Sequence, residues 1–181
     1  MILKEMKEKT LRLIEEINSE SEYLTDDPDI AEKINDVINQ IMYELARIKR
    51  IPAYDTIEMK ENEEIELQNE LKNFYQLETI KDIDYEIFNT LVIPKETGTA
   101  RVFYYKYPKR ISKDTSDTDY KFELSDDVLE IMPYGVAADL LKSDVSNQYG
   151  SIYAKRYEEL KQGLDPRYSQ ATYTIEGGID I

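Results

Sequence analysis

Between Ile2 and Ile17, Leu3, Met6, Ile14 and Ile17 fall on or near one helical stripe. Leu11 and Leu13 flank it, and Lys and Glu fill the remaining positions. That spacing predicts an amphipathic helix. A polar stretch from Asn18 to Thr25 follows and reads as a loop. The next helix has a clear start: Asp27 suits the N-cap, Pro28 the first helical position and Asp29 the positive end of the dipole. Ile30, Ile34, Val37, Ile38, Ile41, Leu45 and Ile48 then recur at helical spacings, until Pro52 bars continuation beyond about Arg50. Arg47, Lys49 and Arg50 suit the carbonyl end of that helix. The two elements form a helical hairpin whose apolar faces need a partner.

From Pro52 the period changes. Short runs rich in β-branched and aromatic residues, Phe74–Ile80, Tyr85–Pro94 and Ala100–Pro108, are predicted as strands, with Asp119–Leu124 as a further one. Lys95–Gly98 reads as a hairpin turn between two of them, with Gly98 free to take a positive φ. Glu61–Asn69 suits either an edge strand or a charged loop. The pattern predicts a small antiparallel β module.

Helical periodicity returns at Ser125, an N-cap candidate followed by Asp126 and Asp127, with Leu124 placed to staple onto Leu129. Ile131, Met132, Val136, Ala137, Leu140 and Leu141 leave this helix apolar around much of its circumference, so it is expected to be buried. Pro133 is expected to kink it. A last helix is expected from an Asp144 cap, with Val145, Tyr149, Ile152, Tyr153, Tyr157, Leu160 and Leu164 as its stripe and Gly163 and Pro166 around its end. Residues 165–181 lose the helical period and read as an extended tail carrying Tyr168, Tyr173 and Ile175. The expected fold is therefore α+β. Residues 1–51 and 124–164 form a discontinuous helical bundle, 52–123 an inserted antiparallel β module, and 165–181 a tail.

Composition narrows the chemistry. The chain has no Cys and no His, which removes disulfides, zinc sites built from these ligands and the common nucleophile–base pairs. An enzyme is not the expected class. No apolar run reaches the ~18 residues of a membrane span, and the charged start does not read as a signal peptide. The net charge of −15 is spread over residues 1–51, 52–123 and 124–181 as −4, −6 and −5. Such a surface repels a phosphate backbone, and it also serves ordinary solubility.

Four candidate features remain. Asp114, Ser116, Asp117 and Asp119 offer oxygen ligands at calcium-loop spacing but lack the glycine and terminal glutamate of an EF-hand, and a polar turn explains them more simply. Acidic pairs such as Glu15/Glu16, Glu63/Glu64 and Glu158/Glu159 fit solvated helix and loop faces better than acid–base catalysis. The only glycine pair, Gly177–Gly178, lacks the following helix and lysine of a phosphate loop, so no cofactor is expected. The strongest signal is 15 Tyr without a Trp, with Tyr104, Tyr105, Tyr107 and Tyr120 in the β module. Tyrosine combines apolar area with a polar tip, so these four, with Tyr168, Tyr173 and Ile175 of the tail, are candidate protein-interface residues. Carbohydrate recognition by the tyrosine-rich lobe is the alternative, and sheet packing accounts for any that face inward.

The order of these parts matters. A helical hairpin, a β module ending in YYKYP, and a helix pair of the form ELSDDVLEIMPYGVAADLL…YGSIYAKRYEELKQGL resemble head-to-tail connector (adaptor, or neck) proteins of tailed bacteriophages. The likeness lies in the acidic-capped helix with its Pro133–Tyr134 step, the small Ala137 and Ala138, and a following helix with Tyr157 near its end. It covers most of residues 1–164, and the tail matches no such pattern. The resemblance implies a non-enzymatic virion protein, assembled in a host cytoplasm, that forms a dodecameric ring. The ring would sit between the portal protein and tail or nozzle proteins, and genome DNA would pass through it without specific binding. It also implies that helices from both chain ends share one bundle.

Overall fold

The computed structural model describes residues 1–17, 24–143 and 148–164. The order along the chain is α1 (Leu3–Leu13), α2 (Pro28–Ile48), β1 (Ile51–Met59), β2 (Ile65–Glu66), α3 (Leu67–Glu70), β3 (Phe74–Lys81), β4 (Tyr85–Phe88), β5 (Leu91–Pro94), β6 (Gly98–Lys106), α4 (Asp126–Leu140) and α5 (Gln148–Leu164), with a short 3₁₀ turn at Leu141–Ser143. The fold is α+β. Helices α1, α2 and α5 all pack on α4 or beside it, and two small antiparallel sheets, ordered β1-β6-β3 and β2-β5-β4, form the strand region.

The helix boundaries have local causes. Asp27 Oδ1 accepts from the Asp29 N–H at 2.8 Å and the Ile30 N–H at 3.2 Å, so two of α2's free donors are satisfied at the expected cap. Helix α1 stops at Leu13 instead of running on to Ile17 because Glu15 takes φ 61°. The Glu16 N–H then donates back to Leu11 O and the Glu15 N–H to Arg12 O, a Schellman ending with glutamate where glycine is usual. At its other end, α1's free donors are met by the loop before α4. Leu3 N–H donates to Tyr120 O at 3.0 Å and Lys4 N–H to Asp117 O at 2.9 Å. Asp119–Leu124 is thus no strand; it makes one isolated bridge, Lys121 opposite Ile2, and serves as the seat of α1.

Strand β1 was masked in the sequence by Pro52. Proline cannot donate to a ladder but is tolerated on an edge strand, and β1 is an edge, with β6 between it and β3. The expected strand Tyr85–Pro94 is two strands. Asn89, at φ 61°, turns the chain so that Phe88 faces Leu91 across a tight hairpin. Lys95–Gly98 is correspondingly no hairpin turn; it carries the chain from one sheet to the other, and Gly98 starts β6 opposite Met59 without a positive φ.

Buried side chains form two clusters. The larger joins α1, α2, α4 and α5, and Ile51, Ile111, Tyr120 and Phe122 belong to it. The smaller, with Met59, Leu67, Val92, Val102 and Tyr104, lies within the strand region. Residues around 111–122, expected in the β module, therefore pack on the bundle. Asn39 fastens them there: its Nδ2 donates to Ile111 O at 2.7 Å, and the Ile111 N–H donates to its Oδ1 at 2.9 Å. A buried amide satisfied at both ends costs little and fixes the loop's position.

Helix α4 is the centre of the bundle. Val128, Leu129, Ile131, Met132, Pro133, Val136 and Ala137 are all buried, and the helix runs without interruption through Pro133. Gly135 faces the Tyr157 ring so closely that an added Cβ would lie 2.8 Å from Tyr157 Cε2. Gly135→Ala would gain about 1 kcal/mol of helix propensity. Forcing the buried ring aside costs about 1–3 kcal/mol, so the clash outweighs the gain. Chemical denaturation should therefore show Gly135→Ala less stable than the native chain by up to about 2 kcal/mol; an increase in stability would disprove the close approach.

Candidate protein-interaction site

Parity along β6 decides which tyrosines are available. Ala100, Val102 and Tyr104 are buried, whereas Thr99, Arg101, Phe103 and Tyr105 point to the other face. Tyr104 is only 3% exposed; its ring stacks on Phe74 at 5.9 Å, and burial, with the nearby Asp55 charge, raises its pKa. Tyr120 is 6% exposed, lies edge-on to Phe122 and donates its hydroxyl to Lys109 O, and burial pushes its pKa well above the ordinary range. These two are corrected from interface candidates to core residues. Their apolar area is already spent inside the chain.

Tyr105 and Tyr107 are partly exposed and have defined neighbours. The Arg50 guanidinium lies 5.2 Å from the Tyr105 ring centre, a cation–π contact on the outer face of the sheet. Tyr107 stacks on Tyr43 of α2 at 5.5 Å and lies 4.7 Å from Tyr75 of β3. Its N–H donates to Asn73 O at 2.7 Å. Tyr107 is thus a clasp between bundle and sheet. Tyr168, Tyr173 and Ile175, like the expected cap Asp144, lie outside the described residues.

The side chains that do present apolar area were not singled out by sequence. Phe88 is 82% exposed and Ile87 44%, on opposite faces near the tip of the β4–β5 hairpin. Tyr54 on β1 is 71% exposed beside Phe103, whose ring is covered by Lys81 Nζ at 5.0 Å. Tyr149 and Ile152 are exposed near the start of α5. The signal for Phe88 was present: Asn89 directly after it is a turn former, which puts Phe88 at a tip. The other four follow from register and helix rotation, which the chain alone does not set.

The polar candidates are engaged structurally. Asp117 binds Lys7 Nζ at 2.8 Å and thereby ties the former calcium-loop segment to α1. Among the described residues, no group of three or more carboxylates, His or Cys converges at metal-binding distance. Glu158 and Glu44 both accept from Lys161 Nζ, at 2.5 and 2.8 Å. Burial works against that ammonium, but the two carboxylates outweigh it and raise its pKa. Among the described residues no helix is long and apolar enough to cross a membrane.

Two grooves on the bundle adjoin α5. One, of about 600 Å³, runs between α2, α4 and α5 and has a mixed polar and apolar lining around Tyr157, whose hydroxyl pKa is raised by burial and by the nearby Glu44 carboxylate. The other, about 730 Å³, lies between α1, α4 and α5 and has an apolar floor of Leu13, Ile131, Pro133 and Leu160.

Stability measurements should separate core from surface aromatics. Truncating Tyr104 or Tyr120 to Ala should cost about 3–5 kcal/mol, as for other large core aromatics. Phe88→Ala and Tyr54→Ala should stay within about 0.5 kcal/mol of the native chain. Equal losses at all four sites would contradict the assignment. No protein-family model and no curated protein matches this chain.

Proposed function

We propose that the protein is a non-enzymatic head-to-tail connector of a tailed-phage virion, a ring-forming adaptor placed between portal and tail. The observation that carries this reading is the discontinuous bundle. Helices from both ends of the chain close around α4, and the strands between them form a separate cluster with its own exposed tips. That is the layout the resemblance implies. The spread net charge of −15 supports the same reading, because a lumen that passes DNA must not hold phosphates. The exposed Phe88 and Ile87 offer protein-contact area that the chain does not use on its own.

The test is assembly. The full chain, expressed alone and with the portal protein encoded in the same genome, should give rings by electron microscopy that co-purify with that portal. A chain that neither forms rings nor binds the portal overturns the reading. Carbohydrate recognition would instead use the open face with Tyr54 and Phe103. Glycan-array binding that is lost in Tyr54→Ala would displace the connector in favour of that alternative.

A further inference from the structure

Copies of a chain with net charge −15 repel one another unless a local contact offsets the repulsion. The structure places the parts of such a contact on two different surfaces. At the β4–β5 tip, Phe88 and Ile87 stand exposed, so they are not seated in their own chain's groove. The hairpin is acidic: Asp84 pairs with no cation among the described residues, and Glu86 has only an exposed pair with Lys95 at 3.1 Å. The groove between α1, α4 and α5 is the reverse, an apolar floor of about 730 Å³ with Lys9, Arg12 and Arg156 on its walls. Lys9 and Arg12 form no ion pair with the described residues, and Arg156 has only a 3.7 Å contact to exposed Glu159. Asp127 and Glu130 also line the groove, and Asp127 is already engaged by Lys49 at 3.4 Å. Cations with no buried partner among the described residues, beside an apolar trough, stand out in a chain with 38 acidic and 23 basic residues.

We infer that the β4–β5 tip of one copy inserts Phe88 into the α1–α4–α5 groove of a neighbouring copy, with Asp84 and Glu86, which share its parity along the strand, meeting Lys9, Arg12 and Arg156. Knob and groove are different surfaces, so two copies can exchange the contact in a closed dimer or pass it head to tail; passed head to tail, it closes a ring when the rotation per copy divides a full turn. The inference rests on the connector reading for the ring but names the surfaces that would join it.

The chain has no native Cys, so cross-linking gives a clean test. Full-length Glu86→Cys mixed with full-length Gly163→Cys should form a disulfide-linked pair under mild oxidation. Gly163 lines the groove, and a Cβ there meets nothing within 4 Å. A mixture of Gly163→Cys with Glu78→Cys, a position on β3, should not. Phe88→Asp should retain the native melting profile yet weaken self-association at least about tenfold, as loss of an anchoring aromatic does. Arg12→Glu with Arg156→Glu should weaken it similarly, and adding Asp84→Lys with Glu86→Lys should restore it. Rings that form unchanged in Phe88→Asp and without the cross-link overturn this inference and leave the connector reading standing. Cross-linking confined to a closed dimer supports the contact and overturns the ring. Rings that persist in Phe88→Asp but no longer bind the portal assign the tip to the portal and overturn the inference. A truncation after Leu164 that strengthens the cross-link would identify residues 165–181 as a competitor for the groove, supporting the groove as the docking surface. Cross-linking abolished by that truncation would overturn the proposed pairing.

Discussion

Helix α4 has almost no polar face, and the architecture follows from that constraint. Val128, Leu129, Ile131, Met132, Val136 and Ala137 cannot all be covered by one neighbour, so α1, α2 and α5 must surround the helix. Two of those helices come from the first third of the chain and one from its last quarter. The strands between them are therefore an excursion from a core that closes only when both ends meet. Gly135 lets α5 approach closely enough for Tyr157 to cover the helix there. Each fully buried Leu or Ile side chain contributes about 1.5–3 kcal/mol, against ~0–1 for an exposed ion pair. The surface pairs, such as Lys33–Asp29 at 3.6 Å, are secondary to that apolar closure.

Ile51 and Ile111 bury aliphatic area in the bundle, and polar and aromatic contacts add direction to the joint. Asn39 holds the loop at Ile111 through two reciprocal hydrogen bonds, and Tyr107 bridges Tyr43 of α2 to Tyr75 of β3. Hydrogen bonds and ring contacts are directional, whereas aliphatic packing tolerates sliding. The joint between the two clusters is thereby defined in angle as well as position.

The helical half of the fold was legible because its signals are local. Asp27-Pro28 marks a start by chemistry that operates within one turn, and the unbroken apolarity of α4 announces burial without reference to anything distant. The strands were harder. Pro52 reads as a stop for α2, yet it sits in an edge strand because only the partner arrangement reveals which side needs no donor. Asn89 divides one expected strand into two by a single residue's left-handed φ. The faces of β6 were readable in principle: charged Arg101 shares parity with Phe103 and Tyr105, and Ala100 and Val102 share it with Tyr104. Counting tyrosines along the strand hid this alternation. Tyr120 was misplaced for a different reason. Its segment looks like a strand but serves as the seat for α1, a contact more than a hundred residues apart in sequence.

The same parity argument bears on where affinity can come from. A tyrosine already buried against Phe74 has no further area to remove from water, however rich its stretch is in aromatics. Phe88, at 82% exposure, has nearly all of its area left. Burying it would contribute about 1.5–3 kcal/mol, more than Asp84 or Glu86 could add through solvent-exposed ion pairs. In any contact the hairpin makes, the apolar tip therefore supplies most of the binding energy. The flanking carboxylates would act on a different quantity: in such a contact they would repel the acidic remainder of a neighbour and favour a basic patch, selecting the site and the orientation. This division would place strength at the tip and choice at its flanks, whereas Tyr104 and Tyr120, which tyrosine content alone singles out, have no area left to offer.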